Sequence, residues 1–219
     1  MSLAPAKHSR SLAADLPDFP WDTLAEAKAV AQAHPDGIID LSVGTPIDPT
    51  PDIARRALSR AADSPGYPLT SGTARLRAAI AGYLVRRWGA DSLDPEAVLP
   101  VIGTKELVAW LPTLLGLSQD DLLVYPTTAY PTYLVGARIA GCRSIACDDL
   151  EQLGQEEPAL VWLNSPSNPT GAVLSARTLA RRVAWARERG AVVVSDECYG
   201  EFGWEVAPVS VLHPSVSYG

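Results

Sequence analysis

From about residue 98 onward, short apolar runs alternate with longer stretches in which apolar positions recur every three or four residues. The short runs Val98–Ile102, Leu122–Tyr125, Ser144–Cys147, Leu160–Leu163 and Ala191–Ser195 predict buried strands. Between them, Glu106–Leu117 and Val135–Ala140 read as helices. A further helix opens at Ser175, which sits where an N-cap belongs. It places Leu179, Val183 and Ala186 on one face and Gly190 just past its end. Strands this apolar, separated by helices, predict a parallel sheet covered on both faces, with right-handed crossovers. Before residue 98 the pattern is helical: Trp21–His34 and Asp52–Asp63 carry apolar residues at helical spacing. Thr73–Trp88 does so most clearly, through Leu76, Ile80, Tyr83 and Leu84. There is no internal repeat and no low-complexity linker.

The 219 residues suffice for one good core, or for a domain plus part of a second. With 47% apolar and 20% charged residues, the composition is that of a globular chain rather than a disordered one. The net charge of −7, with acidic residues spread along the chain, argues against a nucleic-acid partner. Arg181, Arg182, Arg187 and Arg189 read as the solvated side and cationic C-terminal end of one helix. Cys142, Cys147 and Cys198 form no CxxC pair and have no His partner at metal spacing. That points to a reducing, cytoplasmic setting without disulfides or zinc. No apolar run reaches the length of a membrane span, and Met1–Leu16 reads as a loose polar arm, not a secretion signal.

Ligands of open α/β sheets sit at the carboxyl ends of the strands, and four clusters fall at such ends. Gly103-Thr104-Lys105, between a strand and a helix, can face backbone N–H groups and a helix N-terminus toward an anion, and a phosphate would fit. A plain strand-to-helix turn accounts for this cluster better when it is taken alone. In Ala129-Tyr130-Pro131-Thr132-Tyr133, an aromatic residue followed by proline makes a rigid wall that could stack on a heteroaromatic ring. A core tyrosine at a helix start explains it equally well. Asn164-Ser-Pro-Ser-Asn168-Pro169-Thr170-Gly171 forces a defined backbone that presents Asn168 to a phenolate-like oxygen, and here the functional reading is favoured over a structural turn. Cis costs little before proline, so Asn168–Pro169 is a candidate cis bond. Ser195-Asp196-Glu197-Cys198-Tyr199 places an acid at the end of the most apolar strand. Such an acid is costly unless it meets a cation, and a protonated pyridine nitrogen would be one. Asp196 acting as a helix cap is a fair rival. Tyr199 could reach the same oxygen as Asn168.

Taken together and in order, these elements resemble the class I, fold-type I pyridoxal-phosphate (PLP) aminotransferases. The matches are Gly44 in Ser42-Val-Gly-Thr-Pro46, Tyr67 in Tyr67-Pro-Leu-Thr-Ser-Gly72, Gly103-Thr-Lys, Tyr130-Pro, Asn168-Pro-Thr-Gly and Asp196-Glu-Cys-Tyr199. The resemblance implies an α/β large domain of mostly parallel sheet with helices on both faces. It would run over 37–219 and be incomplete, preceded by an N-terminal arm and small-domain segment over 1–36. It further implies that Gly103, Thr104 and Lys105 bind the cofactor's phosphate, that Tyr130 stacks on its ring, that Asn168 and Tyr199 bond its 3′ oxygen, and that Asp196 pairs with its nitrogen. Gly44 would lie near the substrate carboxylate, and Tyr67 would reach the phosphate of a partner subunit in a homodimer. The substrates implied are glutamate as amino donor and a keto-acid acceptor. Within the family, Phe19-Pro-Trp-Asp-Thr-Leu, Val101-Ile-Gly-Thr-Lys-Glu-Leu, Ala109-Trp-Leu-Pro-Thr-Leu-Leu-Gly and Pro208-Val-Ser-Val-Leu-His-Pro are most similar to the N-succinyldiaminopimelate aminotransferases of lysine biosynthesis.

In that family a lysine in a Ser-x-Ser-Lys context holds the cofactor as a Schiff base, and an arginine beyond it binds the substrate carboxylate. Lysine occurs here only as Lys7, Lys28 and Lys105. The first two lie in the arm and an early helix, and Lys105 falls at the phosphate end of the site. The expectation is therefore a truncated, inactive chain ending at Gly219 without a Schiff-base lysine. Rival readings on the same fold are a carbon–sulfur lyase or another PLP enzyme. A non-catalytic PLP-binding regulatory module is the rival of another class. A NAD-binding Rossmann protein fits less well, because Gly103 lacks the two further fingerprint glycines.

Overall fold

The computed structural model describes residues 16–18, 20–41, 43, 44 and 46–217. The arm up to residue 15, Phe19, Ser42, Thr45, Tyr218 and Gly219 lie outside the described residues. The described residues divide into two compact units, one beginning at Asp18 and ending at Gly72, and a larger one from Thr73 onward.

The smaller unit holds helix α1 (Ala25–Gln32), entered through a 3-10 turn over Asp22–Leu24, and helix α2 (Asp52–Ala61). Both fall inside the helical stretches that the sequence predicts. The larger unit opens with helix α3 (Ala74–Trp88). Thr73 caps it by accepting from the Leu76 N–H at 3.2 Å, and Gly89 ends it at φ +65°. Then come helix α4 (Thr104–Leu114), strand β1 (Leu122–Tyr125), helix α5 (Thr132–Ala140), strand β2 (Arg143–Ala146), strand β3 (Leu160–Asn164), helix α6 (Ala176–Glu188), strand β4 (Val192–Asp196) and a short helix α7 (Pro214–Ser217). Ser175 caps α6 by accepting from the Thr178 N–H at 3.1 Å, as its position predicts.

The strands form one parallel sheet in the order β2-β1-β3-β4. Side chains alternate between its faces. Leu122, Val124, Val161 and Leu163 pack with Leu179, Val183 and Ala186 of α6 and Val216 of α7. Leu123, Leu160 and Trp162 pack on the other face, with Val108 of α4 and Tyr133 and Ala137 of α5. Every residue of β3 is buried, and all but its last, Asn164, are apolar, as expected of a strand covered on two faces. The α4–α5 contact is close: a Cβ on Gly136 would stand 2.8 Å from the Val108 carbonyl oxygen.

Two expectations need correction. Val98–Ile102 is not a strand. Val98 is extended, at φ −97° and ψ 121°, but the run pairs with nothing among the described residues, and Ile102 is 92% exposed. A strand exists through its ladder, and Pro100 removes a donor from the middle of this one. The arginines of α6 are likewise not uniformly solvated. Arg182 is half-buried and donates to the Asp148 carbonyl at 2.7 Å, and burial pulls its pKa below the usual value.

Candidate active site

The carboxyl edge of the sheet carries the chemistry. Asn164 ends β3, Asp196 ends β4, and the strand register places them opposite each other. A cavity of about 170 Å³ opens there. Thr104, Lys105, Tyr130, Asn168, Asp196 and Tyr199, all singled out in the sequence, line it together with Asn164 and Cys198. Thr104 and Lys105 are the first residues of α4, so the positive end of that helix faces the cavity. Gly103 is the N-cap residue, extended at φ −177°, and does not itself line the cavity; a Cβ there would meet open space. Gly44 and Tyr67 belong to the smaller unit, where Tyr67 is fully exposed and nothing crowds Gly44.

Asp196 is 8% exposed. Its carboxylate accepts from the Tyr133 hydroxyl at 2.8 Å and from the Cys198 N–H at 3.2 Å, and no ion pair among the described residues involves it. The second bond closes a turn at the end of β4; no helix begins there, so Asp196 is not the helix cap weighed as a rival. The first leaves a buried negative charge held by neutral donors, a costly arrangement that a cationic ligand would complete. Tyr133 is inaccessible to solvent, its ring stacked on Trp162 at 4.8 Å and edge-on to Tyr130 at 5.9 Å. Burial pushes its phenol far above the usual range, and the Asp196 charge adds to this. Cys198 is pushed up to about 12 and Tyr199 is raised, in both cases by burial first. All three therefore stay protonated at neutral pH, and of their side chains the Tyr133 hydroxyl is the one that donates to the Asp196 carboxylate.

The turn from Asn164 to Gly171 contains cis bonds at Asn168–Pro169, as expected, and also at Ser165–Pro166. It is closed by Ser167 N–H to Ala172 O at 2.9 Å and by Gly171 N–H to Ser167 O at 2.7 Å. The Asn164 side chain, 5% exposed, donates to the Asp196 carbonyl at 2.9 Å and the Pro166 carbonyl at 3.2 Å, and accepts from the Asn168 N–H at 2.8 Å.

After β4 the chain is fixed from two sides. Glu197 accepts from the Ser195 hydroxyl at 2.9 Å and the Val211 N–H at 2.8 Å. Glu201 accepts from the Tyr83 hydroxyl at 2.7 Å and receives the Arg87 guanidinium two-pronged, with Nη2 at 2.8 Å. Gly200 lies so close to Trp88 that a Cβ would stand 2.8 Å from its ring. Tyr199, the residue between these anchors, reaches the cavity from a braced segment.

Sequence reasoning missed Asn164 and Cys198 as lining residues and Tyr133 as the partner of Asp196. An amide ending an all-apolar strand was a readable signal, because it cannot be buried without partners. For Tyr133 the sequence offered no signal beyond its spacing from Tyr130.

A parallel sheet with an acid, an amide, aromatic residues and a helix N-terminus converging on its carboxyl edge defines an α/β fold with a cavity where ligands of such sheets sit. The family profile "Aminotransferase class I and II" matches residues 36–217, and the chain belongs to that family. Members of this family depend on PLP. The chain is 61% identical over its full length to a probable aminotransferase of Mycobacterium tuberculosis. Over 94% of its length it is 54% identical to the 4-dedimethylamino-4-oxo-anhydrotetracycline transaminase of Streptomyces rimosus. It covers 52% and 57% of these two proteins, so it spans about half the length of the curated relatives it matches. An LL-diaminopimelate aminotransferase of Syntrophobacter fumaroxidans is 33% identical over 86% of the chain, which covers 52% of that protein. Among solved structures, substrate-bound BacF of Bacillus subtilis superposes with a TM-score of 0.83 at 30% identity, over 97% of this chain and 56% of that one. The solved neighbours are fold-type I aminotransferases. No helix of the described residues is long and apolar enough to cross a membrane.

Proposed function

We propose that the cavity is the PLP site of an aminotransferase that moves an amino group from glutamate to a keto acid, in the cytoplasm and as a homodimer. The observation that carries this reading is the buried Asp196 carboxylate, which accepts from neutral donors and forms no ion pair among the described residues. PLP supplies, when bound, an electron-withdrawing ring that stabilises negative charge at the substrate's reacting carbon. Asp196 holds the proton on the ring nitrogen, and Tyr133 holds Asp196 in place. Asn168 and the protonated Tyr199 donate to the ring oxygen, and Tyr130 stacks on the ring. Gly103, Thr104 and Lys105, with the N-terminus of α4, take the phosphate. Tyr67 serves the phosphate site of a partner subunit, and Gly44 lies near the substrate carboxylate.

For the keto-acid partner we propose the N-succinyl-LL-2,6-diaminopimelate couple of lysine biosynthesis. The stretches quoted from residues 19, 101, 109 and 208 onward support it, as do the relatives named for LL-diaminopimelate. A second reading, transfer to a polycyclic ketone, is favoured by the 54% identity to the tetracycline-intermediate transaminase. Lys105, at the start of α4, lines the proposed phosphate end of the cavity, so it holds PLP without a covalent link. The test is equilibrium binding of PLP, followed by borohydride reduction and peptide mapping. Saturable binding lost in Asp196→Ala, with no pyridoxyl label on Lys105, is expected. Absence of binding overturns the site, and a label on Lys105 with glutamate-dependent turnover overturns the roles.

A further inference from the structure

We propose that Asn164 is the positioning residue that fixes the spacing between Asp196 and Asn168, and so the fit of one aromatic ring between them. The inference rests on the cofactor-site reading above. The parallel ladder between β3 and β4 ends at the pair Asn164–Asp196. Beyond it the backbones separate: the next link, Ser165 N–H to Asp196 O, is already 3.4 Å long. At that point the Asn164 side chain takes over. Its amide nitrogen spends both protons on carbonyls, Asp196 O at 2.9 Å and Pro166 O at 3.2 Å. Its oxygen accepts from Asn168 N–H at 2.8 Å. One side chain thus ties together the main chains of the residues proposed for the ring's nitrogen and its oxygen.

The chemistry leaves no substitute among the other side chains. Reversing the amide would aim its oxygen at two carbonyl oxygens and its NH2 group at an N–H, so the network itself assigns the orientation. Aspartate keeps the acceptor for Asn168 but has no protons for the carbonyls. Serine offers one donor on a shorter arm, and glutamine is too long for the same three partners. The residue is buried, so each unmade bond leaves a polar main-chain group without water. The role is distinct from holding up the fold. Both β3 and β4 are already paired over five positions and packed on α4, α5 and α6. What Asn164 adds is the position of the two residues past the ladder, where displacements near 1 Å are costly to a site.

The experiment titrates the chain with pyridoxamine 5′-phosphate, which cannot form a covalent link to lysine. The readouts are the dissociation constant and the pH titration of the bound ring's absorbance. Asn164→Ala is expected to remain folded, to bind at least tenfold more weakly, and to shift the ring-nitrogen pKa at least one unit toward that of the free compound. Asn164→Asp, which keeps the bond to Asn168, should retain the contact to the ring oxygen but show the same nitrogen shift. Unchanged affinity and an unchanged ring titration in a folded Asn164→Ala overturn the proposal. No binding by the unsubstituted chain overturns the site reading, and this inference with it; binding unaffected by the substitution overturns only this inference. Should both variants fail to fold, amide exchange of the unsubstituted chain decides. A protected Asn168 N–H before ligand is added is expected, and a fast-exchanging one refutes the role.

Discussion

Replacing Tyr133 by phenylalanine isolates one bond. The hydroxyl donates to Asp196 Oδ2 at 2.8 Å, both groups being buried, while the ring is held by stacking on Trp162 at 4.8 Å. Phenylalanine keeps that stacking and the packed volume, so no cavity cost enters. What is lost is one hydrogen bond to a charged acceptor, roughly 1.5–3 kcal/mol, leaving the Cys198 N–H at 3.2 Å as the remaining partner of that carboxylate. For a unit of this size a loss near 2 kcal/mol lowers Tm by about 4–8 °C. Urea unfolding at low protein concentration, followed by tryptophan fluorescence, should show the loss at pH 7 with the urea slope unchanged. The pH dependence adds a second arm. The Tyr133 phenol has its folded-state pKa raised above its ordinary value of about 10, by burial and then by Asp196. The folded state therefore keeps a proton that the unfolded chain gives up. That contribution is intact below about pH 10 and is lost as pH rises beyond it. Phenylalanine does not titrate, so Tyr133→Phe should lose less stability on that alkaline limb than the unsubstituted chain does. Cys198, pushed up from 9.0 to about 12, has the same sign and leaves a residual fall between those values. A neutral-pH difference below about 0.5 kcal/mol, smaller than any hydrogen bond to a charged group is worth, would refute the buried bond. So would an alkaline limb identical in the two proteins.

Gly136→Ala should destabilise by about 1–3 kcal/mol, because the new Cβ meets backbone oxygens of Val108 and Ala109 at 2.8 and 3.1 Å. A thermal melt at or above the starting Tm contradicts it. Lys105→Met should weaken pyridoxamine 5′-phosphate by about tenfold or more, the scale of one charge-assisted contact, and leave phosphate-free pyridoxamine unchanged. Equal losses for the two compounds refute the phosphate role. The chain should self-associate with rising concentration, since the outer edge of β4 has no partner among the described residues and Val101, Ile102, Trp110 and Leu114 line an open apolar groove. A monodisperse monomer in sedimentation velocity contradicts this.

Much of this was legible because the site is written in residues with few conformational options. The two prolines and Gly171 restrict the turn that presents Asn168, and an acid after four apolar residues announces Asp196 without any knowledge of its partner. The strands β1, β3 and β4 were readable to within a residue, β1 and β3 because each is buried on both faces and β4 because its run of valines has no helical spacing. Val98–Ile102 misled for the complementary reason. Its apolar pattern describes what the segment would bury, whereas a strand is decided by the neighbour it hydrogen-bonds to, which composition does not encode. Tyr133 was hidden by the same gap: its hydroxyl meets a residue 63 positions away, and only the three-dimensional meeting of α5 with β4 turns a core aromatic into a partner of the buried acid.

The brace at Glu201 has a consequence for the order in which the molecule assembles. The sheet can zip through neighbouring crossovers, each closing a few tens of residues. The Arg87–Glu201 contact spans 114 residues of chain, and such long closures come late because their entropy is lost before any bond repays it. The segment carrying Tyr199 therefore sets after the layers beneath it, and it does so against a helix made at the opposite end of the unit. The wall of the cavity is the last masonry to be laid, and a nascent chain displays a finished floor before it has a finished room.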